Sequence, residues 1–351
     1  MLGAIIGDII GSSYEFHNVR EKEFPLFTGM TYPTDDSIMT LAVADVLQKG
    51  YTYDAKMIVE TFKMWARAYP DSGYGMKFSN WVFSNESKPY YSMGNGAAMR
   101  VSPVGWYARS EREVKEFARC VTEVTHNHPE GLKAAEVVAM CVYYARKGKS
   151  KKFIKEYVEK YYDLDFNYED LRKNYGFDET CEGSVPQAIF CFLISKNYLD
   201  CIRTCISIGG DCDTTAAIAG GIAEAYYKHI PLNVKNEALK YLRDEDPNPW
   251  DVIDTFLNDF QDDYVISEEK TNKTIYLKVI EGGSEFLAHC KKIAPLKDYL
   301  ILRLEEAECR KMNTIKNLLN KINSYDEFVV SIEKINLIAL DFDISFEVYK
   351  K

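Results

Sequence analysis

Ser207-Ile208-Gly209-Gly210-Asp211-Cys212-Asp213-Thr214-Thr215-Ala216-Ala217-Ile218-Ala219-Gly220-Gly221 sets two carboxylates and a threonine immediately ahead of an apolar helix. Gly209 and Gly210 let the backbone turn sharply, so Asp211 and Asp213, two apart and unable to share a helix face, can converge from a loop. The stretch reads as half of a metal site. Residues 31–47 repeat the design, with the turn Thr34-Asp35-Asp36 ahead of another apolar helix. For either cluster alone, helix N-capping is the simpler reading, since Asp, Ser and Thr are the usual caps and carboxylates suit the positive helix end. Two such clusters, each with more acids than a cap requires, shift the balance. Two carboxylates ~4 Å apart repel by about 4 kcal/mol at an effective dielectric of 20, so a four-carboxylate centre needs cations. All-oxygen ligands without an adjacent His or Cys point to Mg²⁺, Mn²⁺ or Ca²⁺ rather than zinc.

The N-terminal stretch places Gly3, Gly7 and Gly11 four apart, on one stripe of a helix. Each glycine costs about 1 kcal/mol relative to alanine inside a helix, so the stripe suggests close approach of another backbone. No strand precedes these glycines and their spacing is wrong for a dinucleotide fingerprint. Asp8 needs a partner, with capping of a neighbouring helix as one candidate. Glu15 follows where the helix gives way to the polar segment 17–22. Farther along, Gly94-Asn95-Gly96 is a turn by composition. Ala97 to Arg100 after it can start a helix that aims backbone N–H groups at an anion. Arg100 serves either a phosphate or a structural ion pair. Thr125-His126-Asn127-His128 precedes a clear helix over 131–146, with Pro129 near its start, and either histidine fits a capping role. A helix over 55–69 carries an aromatic stripe read as core, and 185–193 reads as a buried helix beginning near Pro186.

The chain has 351 residues, 46% hydrophobic and 27% charged, with a formal charge of −10. That is an ordinary globular composition, and the charge argues against nucleic acid or an anionic membrane as a partner, except that a nucleic acid can be a modified substrate. Nine cysteines form no CxxC pair and read as reduced thiols in a cytoplasmic protein. No span or export signal is apparent, the apolar run Leu2 to Ile10 being broken by Asp8. Periodicity is helical nearly everywhere to residue 256, without βαβ alternation, so an all-α domain is expected over 1–256. A polar linker over 257–273 follows, and then a small α+β module over 274–351. In that module strands are expected at 274–280, 327–332 and 344–349, and a long helix over 295–322.

Taken together, five segments resemble the ADP-ribosylglycohydrolase family. They are Gly7-Asp8-Ile9-Ile10-Gly11 with Glu15, Thr34-Asp35-Asp36-Ser37, Gly94-Asn95-Gly96-Ala97-Ala98-Met99-Arg100, Thr125-His126, and Gly210-Asp211-Cys212-Asp213-Thr214. The resemblance covers about residues 1–256. It implies an all-α multi-helical fold and two Mg²⁺ (or Mn²⁺) held by Thr34, Asp35, Asp36, Asp211, Asp213 and Thr214. It further implies a phosphate-binding loop at Ser92, Met93, Gly94, Asn95 and Gly96, and a ligand-contacting histidine at His126, with His128 as the alternative. Cys212 is expected to point away from the metals. The implied activity is hydrolysis of the bond between ADP-ribose and an acceptor, with Glu15, Asp36 and Asp211 as the candidate catalytic carboxylates. The competing readings are a two-metal phosphoesterase acting on the diphosphate and a non-catalytic ADP-ribose-binding module. A protein partner is expected to use the C-terminal domain.

Overall fold

The computed structural model describes residues 1–260 and, beyond them, the backbone of 274–281, 284–296, 299–307, 327–331 and 344–349. The chain divides into two compact units, Met1–Phe260 and Gln261–Lys351. The first is helical. Its early helices are α1 (Leu2–Gly11), α2 (Asp35–Gln48), α3 (Ala55–Ala68), α4 (Met76–Phe83), α5 (Ser102–Tyr107) and α6 (Glu111–Glu123). Then come α7 (Pro129–Arg146), α8 (Lys151–Val158), α9 (Tyr168–Asn174), α10 (Cys181–Ile194) and α11 (Tyr198–Ile208). The last three are α12 (Cys212–Tyr227), α13 (Leu232–Leu239) and α14 (Pro249–Asp259). No helix among the described residues is long and apolar enough to cross a membrane.

The centre of this unit is the antiparallel pair α1 and α12. Every residue of α1 is buried, and so is α12 from Cys212 to Ala225. The glycine stripe explains how the two backbones come so close. A Cβ on Gly7 would lie 2.2 Å from the Ala216 carbonyl oxygen, and one on Gly3 would lie 2.3 Å from that of Gly220. Such distances exclude any side chain without a backbone shift. The pairing is antiparallel, so the C-terminal end of α1 meets the N-terminal end of α12, with Gly11 against Asp213. Helices α7, α10 and α11 pack around α12, and α2 packs on α1.

Two boundaries differ from the sequence expectation. Helix α1 ends at Gly11, a turn before Glu15, and the Asn18 side chain holds the following turn by donating to the carbonyls of Tyr14 and Glu15. Helix α10 begins at Cys181 rather than near Val185, because Thr180 caps it through the Gly183 N–H at 3.0 Å. Pro186 therefore sits inside the helix, one backbone hydrogen bond being forgone.

In the second unit the described strands are β1 (Thr274–Glu281), β2 (Ser284–Leu296), β3 (Tyr299–Ala307), β4 (Glu327–Ser331) and β5 (Ile344–Tyr349). They form one antiparallel sheet in the order β4-β3-β2-β1-β5. The three expected strands are present. The long helix expected over 295–322 is overturned in its first part, since Pro295 and Leu296 end β2 and 299–307 is β3. Leu300, Leu302 and Leu304 fit a helical stripe and a strand alternation alike, and pairing of Leu302 with Phe328 and Lys292 settles the period. Residues 308–322 of that expectation lie outside the described residues.

Candidate active site

Three helix ends build the site: the C-terminal turn of α1 and the N-terminal turns of α2 and α12. Asp8 of α1 fixes the start of α2. It accepts from the Thr34 N–H (3.0 Å), the Thr34 hydroxyl (2.6 Å), the Ser37 N–H (3.1 Å) and the Ser37 hydroxyl. Asp8 is thus the cap for a neighbouring helix, and capping of α2 is shared between Thr34 and Asp8. The capping lifts Asp36 toward α12, where the Thr214 hydroxyl donates to Asp36 Oδ2 at 3.1 Å. Asp213 accepts from the Thr214 N–H at 2.9 Å, and Asp211 accepts from the Asn95 amide at 2.6 Å.

The carboxylates then fall into two groups, each with ligand oxygens within 4.8 Å of one another: Asp8, Asp36 and Asp213, and Glu15, Asp211 and Asp213. Asp213 belongs to both. Asp35 is outside both groups and half-buried, yet burial and the charges of Asp8 and Asp211 push its carboxyl well up. The others are raised as well. Burial lifts Asp8 to about 6, and burial with the charges of Asp211 and Asp8 lifts Glu15 to about 7. Asp36, Asp211 and Asp213 are raised first by burial. Among the described residues no lysine or arginine forms an ion pair with these six carboxylates. Asp36 Oδ1 is buried with no hydrogen-bond partner. A buried bare carboxylate oxygen, two carboxylate groups sharing a member and no protein cation together fit hard divalent cations. Two positive helix ends, α2 and α12, face the same space, but their partial charges offset only a fraction of the acid.

The loop at 92–96 is held against the segment entering α10. Gly94 bridges Thr180, the Cys181 N–H donates to the Met93 carbonyl (3.1 Å) and the Asn95 N–H donates to the Glu179 carbonyl (2.8 Å). The Gly94 N–H is engaged by Ser92 Oγ at 3.1 Å. Two of the loop's N–H groups are therefore used inside the protein, and Asn95 uses its amide on Asp211. The expected helix from Ala97 does not form; Asn95–Ala97 is a single 3₁₀ turn, and α5 begins at Ser102.

The two histidines separate cleanly. His128 caps α7 through the Glu130 N–H (3.1 Å). His126 is buried beneath the loop, its Nε2 lying 3.0 Å from where a Cβ on Gly96 would be. Arg100 is structural: it is 1% exposed, donates to the Thr125 hydroxyl at 2.6 Å and lies over the Phe62 ring. Its Nη2 is also 3.4 Å from His126 Nδ1. The Thr125 hydroxyl lies closer to Nδ1, at 2.8 Å, so Nδ1 is engaged inside the protein and Nε2 is the nitrogen that faces the loop. Burial and Arg100 hold His126 well below its usual range, so it is neutral.

Sequence reasoning missed the clamp on the Asp211 turn. Gly209 and Gly210 have φ of 72° and 75°. Asn18 accepts from the Gly210 N–H (2.8 Å) and donates to its carbonyl (3.0 Å). Arg20 donates to the carbonyls of Ile208 and Tyr175, the latter at 3.0 Å. Only the polar character of segment 17–22 hinted at this role. Cys212 turns toward α1, with its thiol 3.7 Å from the Gly11 carbonyl oxygen.

Comparison with known proteins matches this architecture. The ADP-ribosylglycohydrolase family model matches residues 1–268. An ADP-ribosylhydrolase ARH3 of Xenopus tropicalis is 30% identical, the alignment covering 70% of this chain and 91% of that protein. An ADP-ribosyl-[dinitrogen reductase] glycohydrolase of Rhodospirillum rubrum is 26% identical, covering 64% of this chain and 83% of that protein. A solved structure described as an ADP-ribosylglycohydrolase-related protein complex shares the fold, with a TM-score of 0.56 at 22% identity over 74% of this chain and 96% of that one. The family match over residues 1–268 and the 30% identical relative together place the carboxylate-bearing helical unit within a known family: the chain belongs to the ADP-ribosylglycohydrolase family and is a glycohydrolase.

Proposed function

We propose that this glycohydrolase depends on two divalent cations, Mg²⁺ or Mn²⁺, and cleaves the bond between the distal ribose C1 of ADP-ribose and an acceptor atom. The observation that carries the reading is Asp213, shared between two carboxylate groups beside the unpartnered Asp36 Oδ1. Thr34, Asp35, Asp36, Asp211, Asp213 and Thr214 are the proposed ligands, with Asp8 orienting Thr34 from behind. When bound, the ions supply countercharge to the carboxylates and a fixed hold on the ribose hydroxyls.

The chain's own residues do the rest. A water oxygen bonds to C1, the bond from C1 to the acceptor breaks, and the proton released by water is matched by one delivered to the acceptor. Glu15 is the candidate for both proton roles, being a half-buried carboxyl beside Asp211 and Asp213 that is not itself among the proposed metal ligands. Asp36 and Asp211 are the other candidates for orienting the water. Ser92, Met93, Gly94, Asn95 and Gly96 border the proposed diphosphate position, and His126 is proposed to offer its Nε2–H there.

The domain division into a catalytic part (1–256), a linker (257–273) and an accessory part (274–351) belongs to the same proposal, with the accessory part selecting a partner or substrate. All seven described cysteines are free thiols, which supports a cytoplasmic setting. The test is a panel of ADP-ribosyl conjugates assayed with and without Mg²⁺, comparing the wild type with Asp211→Ala and Asp213→Ala. Intact ADP-ribose released only with metal, and by neither variant, is the expected result. AMP as product, or unchanged rates in the variants, overturns the reading.

A further inference from the structure

The loop proposed for the diphosphate has little positive charge of its own. Residues 92–96 include no lysine or arginine, and the N–H groups of Gly94 and Asn95 are already engaged by Ser92 Oγ and the Glu179 carbonyl. One imidazole ring away lies a cation without an anion. Arg100 is 1% exposed, and its guanidinium meets neutral groups: the Thr125 hydroxyl at 2.6 Å, His126 Nδ1 at 3.4 Å and the face of Phe62 at 4.9 Å. Its Nε is buried with no hydrogen-bond partner, and among the described residues it forms no ion pair. Burial pulls its pKa down to about 10, which leaves it charged at neutral pH. Asp35 is the carboxylate whose charge reaches it, and Asp35 is a proposed ligand whose charge the cations take up.

We propose that Arg100 is the charge-balancing residue for the substrate's diphosphate, acting across the Thr125–His126 pair and the loop above them rather than by contact. This rests on the proposed diphosphate position at residues 92–96. The contacts around Arg100 hold the side chain in place without balancing its charge, and an unpaired buried charge is costly. A bound anion supplies what the fold leaves out. The path to it is short: Thr125 Oγ1 accepts from the guanidinium and lies 2.8 Å from His126 Nδ1, while Nε2 of the same ring faces Gly96. A unit charge about 8 Å from an anion, at an effective dielectric of 20, changes its affinity by about thirtyfold.

The experiment compares wild type, Arg100→Gln and Arg100→Lys by calorimetry with ADP-ribose and with Mn²⁺, by melting temperature, and by kinetics on an ADP-ribosyl conjugate. Glutamine and lysine both keep a donor for the Thr125 hydroxyl, but only lysine keeps the charge. For Arg100→Gln we expect ADP-ribose binding to weaken about ten- to hundredfold, KM to rise by a similar factor and kcat to stay within about threefold. Mn²⁺ binding should not change, and the ligand-free variant should melt no lower than wild type, because an unpaired buried charge has been removed. Arg100→Lys should recover most of the lost affinity. A lower melting temperature together with weaker Mn²⁺ binding would show that Arg100 only holds the fold around His126, and overturns the inference. So does ADP-ribose binding that is unchanged in Arg100→Gln, or equally weak in the lysine and glutamine variants. Should Arg100→Gln not fold, Arg100→Met, apolar and of similar length, repeats the comparison; failure of both to fold makes the guanidinium a requirement of the fold and overturns the inference as well. Wild type that binds no ADP-ribose refutes the diphosphate position itself, an outcome distinct from wild-type binding that Arg100→Gln leaves intact.

Discussion

At the scale of single residues, the acid cluster ties cation binding to protons. Glu15 near 7 and Asp8 near 6 hold protons at pH values where an exposed carboxylate holds none. A cation has to displace those protons, so its affinity falls as pH falls. We expect Mn²⁺ binding followed by calorimetry to weaken steadily from pH 8 to pH 5.5, and Glu15→Gln to remove the part of that dependence centred near 7. Asn95 acts on the same balance from outside. Its amide donates to Asp211 Oδ2 at 2.6 Å and favours the ionised form. Asn95→Ala should lower Mn²⁺ affinity at pH 7 by about tenfold, the usual effect of losing a partner of a ligand. An unchanged affinity would show that Asp211 needs no such support.

Among the elements, α1 and α12 determine whether the acids meet at all. Their axes come close only because glycines face backbone across the pair, and Asp8 on one and Asp213 on the other depend on that spacing. Gly7→Ala places a Cβ 2.2 Å from the Ala216 carbonyl oxygen, with backbone on both sides. Overpacking of this kind costs about 1–3 kcal/mol, and the helices must separate to relieve it. Urea unfolding should show that loss, together with weaker cation binding. Gly29→Ala, where a Cβ meets nothing within 4 Å, is the matched control and should change neither.

For the whole molecule, the raised carboxyls make the metal-free protein sensitive to pH in an unusual direction. Between their ordinary values of 3.8 to 4.5 and the folded values of about 6 and 7, the native state binds more protons than the unfolded chain. Stability therefore falls as pH rises through that window, and is fully present only below the unfolded values. The melting temperature of the metal-free protein should be higher at pH 5 than at pH 7.5. Saturating Mg²⁺ should raise it most at pH 7.5, where repulsion among ionised acids is greatest. A metal-free protein that melts higher at pH 7.5 than at pH 5 would show that protonation of the cluster does not govern its stability.

The sequence by itself determined the helical class of residues 1–256, the glycine stripe and the two acidic turns, because each is a local pattern of spacing or residue type. Asp211 and Asp213 stood out by having more charge than a helix cap needs. Other features were undetermined. The split between His126 and His128 depended on which one lies under the loop, and the roles of Asn18, Arg20 and Asn95 are contacts with residues 116 to 192 positions away. In the second unit, Leu300, Leu302 and Leu304 satisfied two periods at once, and only pairing with β2 and β4 chose the strand. Tertiary structure also decided that Asp8 both caps α2 and joins the acid cluster, and that Asp213 is common to two carboxylate groups. The reason is physical: propensity and periodicity act over one or two turns of chain, whereas a charge cluster exists only where packing brings separate helix ends within a few ångströms.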